Sequence, residues 1–471
     1  MTDVVGGAPA TSMPRRFAAE GAWALGGRVV TMLGGLASGA LLSRLLSPDD
    51  LGGYLLVASF VTAGALAGSL GLPQVVVRLV AGALGSGRPA RARSALETAF
   101  ALGALGAAGT AALYAGFVDH VGTGLLGRHG LLSVTGLAAV WVAVLVVQAL
   151  VTEAFRGLGD ARRAAALGGP LPAGLLVAAL LVTGWHAGRA ALSDVVLLAV
   201  VAALLTLLAG CWMLWRKVGQ LPRPLGAEER AGAGMVLRIA WPLLLTSLTL
   251  FASAQADLWI VGAFRPHPEV AVYGVAARAA SVVAVPLLVV NAVLAPAVAR
   301  LHAQGGTKDL ERVLRGTATL ASLPALAVLT VFAVAGAPLL GLAYGAYYRA
   351  GGSVLTLLAL GQAAGACAGS CGLTLAMTGR QALLAAITLG CGALTVAAAV
   401  LAAGPFGMTG VAGATAAGMA LQNLAMLLGV RLTVGVWTHL SPVLLARART
   451  LRLRPAWQAP TIDRKANTHE P

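Results

Sequence analysis

The sequence predicts an all-α polytopic membrane protein with twelve transmembrane helices, and three observations carry that expectation. The 471 residues have a mean hydropathy of +0.85, with 58% hydrophobic and only 11% charged. Soluble domains average about a quarter charged residues, so this composition excludes an ordinary soluble enzyme. Apolar runs of about 20 residues, each long enough to cross a hydrocarbon core of about 30 Å, recur along the chain. Finally, the basic residues gather in alternate connections between those runs.

Bounded by charges, Pro and Gly, the spans fall at 22–43, 51–72, 94–117, 131–154, 165–184, 194–215, 239–262, 270–297, 317–341, 352–377, 382–403 and 409–434. Arg15-Arg16-Phe17 ahead of the first run superficially resembles a twin-arginine signal. The run contains Arg28 and outlasts the apolar core of a signal peptide, about 7–15 residues, so it reads as an uncleaved first helix.

The formal charge is +16 and the sequence pI near 11.0. Such a balance suits nucleic acid, an anionic membrane surface, or loops that obey the positive-inside rule. Twenty-five of the 33 basic residues fall on one side: the N-terminal segment, the even-numbered connections and the tail. The opposite connections hold five, Arg44, Arg128, Arg189, Arg265 and Arg349. That asymmetry predicts both termini in the cytoplasm of a multi-pass cytoplasmic-membrane protein, and it leaves no support for nucleic-acid binding.

Residues 1–21 are then a cytoplasmic N-terminal segment, 22–216 an N-terminal lobe of six spans, and 217–238 a cytoplasmic inter-lobe linker. Residues 239–434 form a C-terminal lobe of six spans, and 435–471 a basic cytoplasmic tail. The lobes resemble each other. Trp23 and Trp241 open spans 1 and 7, Tyr54 follows 31 residues after the first and Tyr273 32 after the second. The turn Gly85-Ser-Gly-Arg-Pro-Ala-Arg91 matches Gly305-Gly-Thr-Lys-Asp-Leu-Glu311. Chance similarity among Ala/Leu/Gly-rich segments is the alternative. Six spans per copy start both copies on the same side, giving a parallel repeat about an axis along the membrane normal, which usually frames a central cavity.

Span 1 and its exit read Gly39-Ala-Leu-Leu-Ser-Arg44-Leu-Leu-Ser-Pro48-Asp-Asp-Leu-Gly52-Gly-Tyr54, and span 2 ends Gly71-Leu-Pro-Gln-Val-Val-Val-Arg78. This resembles the opening signature of polysaccharide-biosynthesis flippases, the Wzx-type exporters of lipid-linked sugars in the multidrug/oligosaccharidyl-lipid/polysaccharide (MOP) superfamily. Ser47 stands where Gly is commoner, and Leu51 where an aromatic is usual. Ala256-Asp257-Leu-Trp-Ile-Val-Gly262 and Ala295-Pro296-Ala-Val-Ala-Arg300 resemble the family's spans 7 and 8. The resemblance implies a MATE-like fold whose spans 1–2 and 7–8 line a central cleft, and a lipid-linked saccharide as substrate. It also implies possible partners among glycan-assembly proteins and action as a monomer in the bilayer.

Charges within spans are the most informative positions, each costing about 2.5–3.5 kcal/mol at a helix centre. Arg28 lies about 9 Å past the inner end of span 1 and Arg278 about 12 Å below the outer end of span 8. With the cleft the resemblance implies, the two are successive docking points for a diphosphate, since Arg stays charged and presents a planar fork of donors. The plainer alternatives are snorkelling for Arg28 and a structural pair with Asp257 for Arg278. Asp257 is a candidate for ion coupling or gating. Arg431 and Glu153 read as interface residues, and Glu97 as an acid at the start of span 3. Asn291, Gln148, Gln255, Gln362, Gln422 and Asn423 are buried amides, for sugar hydroxyls or interhelical bonds.

Gly361/Gly365/Gly369, Gly35/Gly39 and Gly64/Gly68 form small faces for close helix packing, while Pro286, Pro296, Pro324 and Pro338 are bending points. Cys211, Cys367, Cys371 and Cys391 lie in apolar stretches without metal-ligand spacing, and the seven histidines form no paired-ligand pattern, so no metal or cofactor is expected. There is no P-loop and no GxSxG motif. A flippase for an undecaprenyl-diphosphate-linked oligosaccharide is the leading reading. A cation-coupled multidrug (MATE-type) exporter is the alternative. A membrane glycan polymerase or ligase would want a large outer catalytic loop.

Overall fold

A computed structural model describes residues 13–125, 131–222 and 232–441. The tail arginines from Arg447 onward, linker residues 223–231, Arg128 and His129 lie outside the described residues. All regular structure described is helical. The first half comprises α1 (Met13–Leu45), α2 (Pro48–Gly68), α3 (Leu72–Gly85), α4 (Pro89–Leu125), α5 (Leu131–Gly157), α6 (Ala161–Leu167), α7 (Pro170–Ala187) and α8 (Leu192–Val218). The second comprises α9 (Ala233–Phe264), α10 (His267–Ala280), α11 (Val285–Ala303), α12 (Thr307–Tyr344), α13 (Gly352–Ala368), α14 (Cys371–Met377) and α15 (Gln381–Val434). Among the described residues ten helices are long and apolar enough to cross a membrane. The chain is a multi-pass membrane protein, and side chains such as Trp185, Leu401 and Leu432 are more than three-quarters exposed, as lipid-facing residues are.

Twelve spans were expected. The first lies in α1, which is not among the ten, and the last two share α15. At 1.5 Å per residue the 54 residues of α15 would reach about 80 Å, far beyond the ~30 Å core. Gly407 breaks it at φ 59°, ψ −149°, two residues after Pro405. Beyond the break the chain runs back along itself: Gly418 lies against Thr395 and Gly429 against Ile387 and Leu383. Each match pairs positions at roughly equal distances on either side of Gly407, so α15 is an antiparallel hairpin.

Several spans are interrupted rather than continuous. Ser47 caps α2 by accepting from the Asp50 N–H at 3.1 Å, with Pro48 in the first turn and Asp49 and Asp50 at the positive helix end. The helix then stops at Ser69, and Leu70 (φ 51°) and Gly71 (φ 73°) reorient the chain before α3 begins. The predicted span 51–72 is therefore one helix, and the expected inner loop carrying Arg78 is largely α3. The span expected at 270–297 divides likewise into α10 and α11 around a 3-10 turn at Ser281–Ala284, and Pro286 opens α11. In α12 Ala335 leaves helical geometry (φ −123°, ψ 15°) three residues before Pro338. The predicted span 352–377 breaks at Gly369 (φ 77°), where a Cβ would meet the Thr438 carbonyl. Gly361 and Gly365 do pack on α15, against Ala416 and Asn423.

Glu97 needs correction. The helix starts at Pro89, two turns earlier than expected, so Glu97 is not at a helix start and instead accepts from Arg93 Nε at 2.9 Å. The corner between α5 and α6 is fixed by Asp160, which caps α6 and binds Arg163 at 2.9 Å and Lys217 of α8 at 3.0 Å. Burial raises its carboxyl pKa, but Lys217, the Arg163 N–H and the Arg163 guanidinium outweigh burial and hold it below the ordinary value.

Among the described residues the core forms one large cluster and three smaller ones, the smallest being Ala65, Ala107 and Val146. The large cluster lies away from the basic connections and joins both halves of the chain, from Leu42, Tyr54 and Val61 to Val270, Tyr273, Tyr344 and Val411. Toward the basic connections one cluster contains Leu72, Leu96, Phe155 and Leu214 with Val236 and Ala240 of α9, and another Leu310, Leu314, Cys371 and Val430. The two halves share a core at one end and keep separate cores at the other.

Candidate functional site

A cavity of about 390 Å³ lies where the halves meet. Its walls come from α2 (Leu55, Ala58, Ser59, Thr62), α9 (Ala254, Gln255, Asp257, Leu258), α10 (Tyr273, Gly274, Ala277, Arg278), α13 (Leu358, Gln362) and Met419 of α15. Helix packing at its closed end is tight enough to demand glycine. A Cβ on Gly52 of α2 would collide with the His267 carbonyl oxygen of α10, and one on Gly274 would come within 2.5 Å of Leu55. The two interrupted spans thus lie directly against each other across the seam. Trp259 Nε1 donates to Ser59 Oγ at 2.9 Å, and its ring stacks on Phe60 with centroids 5.4 Å apart.

Two of the three predicted site residues, Asp257 and Arg278, line this cavity. They are not paired. Asp257 Oδ2 accepts from the Tyr273 hydroxyl at 2.8 Å and Oδ1 from the Leu258 N–H at 2.8 Å. Among the described residues the Arg278 guanidinium makes no hydrogen bond and no ion pair, so the structural pair with Asp257 is replaced by the Tyr273 contact. The Gln255 and Gln362 side chains are likewise without a hydrogen-bond partner among the described residues. The cavity therefore presents a cation and two amides unengaged, while its carboxylate is occupied.

Arg28 does not line this cavity and is exposed. Its position on α1 is nonetheless informative. A Cβ on Gly39 would stand 3.8 Å from Arg278 Nη1 and 3.5 Å from Tyr344. Arg28 lies eleven residues earlier, three turns and within about 20° of the same face. It follows Arg278 about 16 Å nearer the basic connections, on the side of α1 that faces the second half.

Asp257 also lines a pocket of about 140 Å³ within the second half, between α9 and the two arms of α15, with Thr395, Thr415 and Gln422. A third cavity, about 420 Å³, lies within the first half between α2, α3 and α5, and Thr62 lines both it and the central one. Sequence reasoning missed Tyr273 as the Asp257 partner, and Ser59 with Trp259. Separations of 16 and 200 residues leave no local signal for either contact.

The model of the polysaccharide biosynthesis protein family matches residues 17–302, more than half of the chain and all of α2 to α10. The chain belongs to that family. No curated protein sequence matches it significantly. Among solved structures, the inward-facing conformation of a multidrug resistance MATE family transporter of the MOP superfamily is similar at TM-score 0.69 and 17% identity, covering 86% of this chain and 94% of that one. An outward-facing conformation of a MATE family transporter gives 0.59 at 16% identity, covering 89% and 95%. The lipid II flippase MurJ in an inward closed conformation gives 0.66 at 12% identity, covering 86% of each chain. This member of the polysaccharide biosynthesis family thus has the fold of MOP-superfamily transporters.

Proposed function

We propose that this protein is a flippase that moves an undecaprenyl-diphosphate-linked oligosaccharide across the cytoplasmic membrane for cell-surface polysaccharide assembly. The observation that carries the reading is Arg278, an unengaged guanidinium at the interface of the two halves, with the unengaged amides of Gln255 and Gln362 on the same cavity. A diphosphate offers only acceptors, and a free planar fork of donors suits it. Arg28, on the same side and nearer the basic connections, is the first docking point and Arg278 the second. The lipid tail remains in the bilayer while the head group enters.

The same reading has twelve spans in two six-helix lobes, 22–216 and 239–434, related by the parallel repeat, with both termini cytoplasmic. The basic connections then mark the cytoplasmic side. The fused end is closed to the outside and the split end faces the cytoplasm, one half of an alternating-access cycle. Asp257 serves as the coupling or gating group. The protein works as a monomer alongside glycan-assembly proteins, without metal or cofactor and without catalysis of its own.

The alternative, a cation-coupled multidrug exporter, draws on Asp257 lining both the central cavity and the pocket behind it. One assay separates the two. The purified protein should bind farnesyl diphosphate, and Arg28→Ala and Arg278→Ala should weaken binding and abolish surface glycan export while inserting normally. Wild-type export in both variants would remove the docking role. Binding of a lipophilic drug cation that depends on Asp257, with none of farnesyl diphosphate, would establish the exporter.

A further inference from the structure

The third cavity has a chemistry opposite to that of the central one. Its polar wall is built from Gln148, Thr152, Glu153 and Arg156 along α5, faced by Thr62 of α2 and by Ser69 at its C-cap, and the rest is apolar. The three hydroxyls spend their protons on their own helices. Thr62 donates to the Ala58 carbonyl at 2.7 Å, Ser69 to Leu66 at 2.7 Å and Thr152 to Gln148 at 2.8 Å. Each therefore leaves lone pairs as its remaining capacity. Gln148 donates to the Leu167 carbonyl at 3.3 Å, and its Oε1 is buried with no donor, on a residue only 8% exposed. Glu153 adds two carboxylate oxygens, both 2.6 Å from Arg156 Nη1. The wall is rich in acceptors and close to neutral, because Arg156 balances Glu153.

An acceptor-rich, neutral wall of this kind is matched by a ligand that is rich in hydroxyl donors and uncharged. A diphosphate brings acceptors only, and the one cation on this wall, Arg156, is already neutralised by Glu153. A lone metal ion would leave most of about 420 Å³ unfilled, a volume within the range of small-molecule pockets. Thr62 lines both this cavity and the central one, which places the two side by side along α2. We infer that this cavity is a saccharide-binding subsite in which Glu153, Thr152 and the Gln148 amide, once turned out from its buried position, accept hydrogen bonds from sugar hydroxyls beyond the first residue of the glycan. The inference rests on the flippase reading and adds the place where the sugar part is recognised.

The test uses cells that depend on this protein for export of a lipid-linked saccharide, supplied either as the complete unit or as a lipid bearing a single sugar. The shape-preserving double variant Gln148→Met/Thr152→Val, and separately Glu153→Gln, should lower export of the complete unit about tenfold, the loss of one or two hydrogen bonds. Export of the single-sugar lipid should fall less than about twofold, because it is too short to reach the subsite. Farnesyl diphosphate binding by the purified variants should match wild type. Equal loss on both substrates would mean damage to the fold or the cycle and would overturn the subsite, as would no loss on either. A changed dependence on sodium or potassium in place of glycan length would make the cavity a cation site and overturn it too. If wild type binds no farnesyl diphosphate and its deletion traps no lipid-linked saccharide, the flippase reading itself falls. If wild type passes both checks and only the length dependence is missing, the subsite alone falls.

Discussion

At one end of the molecule the two halves share a single core, and at the other each half has its own. The shared end is held by close backbone approach, Gly52 against His267, and by an apolar cluster that runs from Leu42 to Val411. At the basic-loop end the clusters around Phe155 and Leu314 do not merge, and the strongest tie across them is α9, whose Val236 and Ala240 belong to the first core and Ile260 and Val261 to the shared one. The contrast teaches that opening the fused end requires breaking glycine-mediated contacts such as Gly52 on His267, whereas at the basic-loop end the halves meet through α9, with Gly71 packed on the Ala240 carbonyl. α9 is the element that would have to swing or bend between the two states.

The largest expected effect comes from locking the fused end. In a background without the four native cysteines, Asp49→Cys with His267→Cys joins side chains now 3.8 Å apart. Oxidation should stop export entirely and a reductant restore it; export that continues in the oxidised protein would mean that this end never opens. Loosening the same end is the next test. Gly52→Val places a Cβ on the His267 backbone and should cost about 1–3 kcal/mol of overpacking, seen as a lower Tm and as new labelling, from the outside, of a cysteine in place of the buried Ser59. Unchanged Tm and labelling would show that the fused end is not tightly closed.

Tyr273→Phe removes the donor to Asp257 and leaves a carboxylate oxygen unpartnered, at about 1–3 kcal/mol. A thermal scan should show the loss, and Asp257→Asn in the same chain should relieve part of it. Trp259→Phe keeps the ring over Phe60 but deletes the bond to Ser59, for about 1 kcal/mol. That variant reports whether the hydrogen bond or the stacking ties α2 to α9.

The smallest effect concerns the split end. Asp160 has a carboxyl pKa below its ordinary value in the folded chain, so its stabilisation is present above about pH 4 and is lost as pH falls through the folded pKa. Asp160→Asn should therefore melt earlier than wild type at neutral pH, with the gap closing in acid. A gap that stays constant down to the acid limit would mean that the Lys217 and Arg163 contacts contribute nothing through charge.

Much of the fold was legible because lipid imposes simple rules: the long apolar runs marked the spans, and Gly404-Pro-Phe-Gly407 marked the hairpin that a continuous α15 conceals. The interruptions were harder. Gly71-Leu-Pro73 read as the end of a span, and α2 does end just before it; what the sequence concealed is that the left-handed Leu70-Gly71 pair turns the chain straight into a new helix, α3. The start of α4 was misplaced because its first turns are polar and carry Arg91 and Arg93. Of the site, the sequence revealed which charges sit within spans, but Glu153 and Gln148 looked like an interface residue and a structural amide.

The sequence by itself determined the class of the molecule, the identity of its intramembrane charges and the family signature, because burial cost and helix length act locally on each segment. Only the tertiary structure decided who meets whom. It gave Asp257 to Tyr273, left Arg278 free, set Arg28 outside the central cavity, and aligned hydroxyls whose protons point back into their own helices. Those outcomes depend on the rotation and crossing of helices far apart in the chain, which packing of small residues sets and which no single segment encodes.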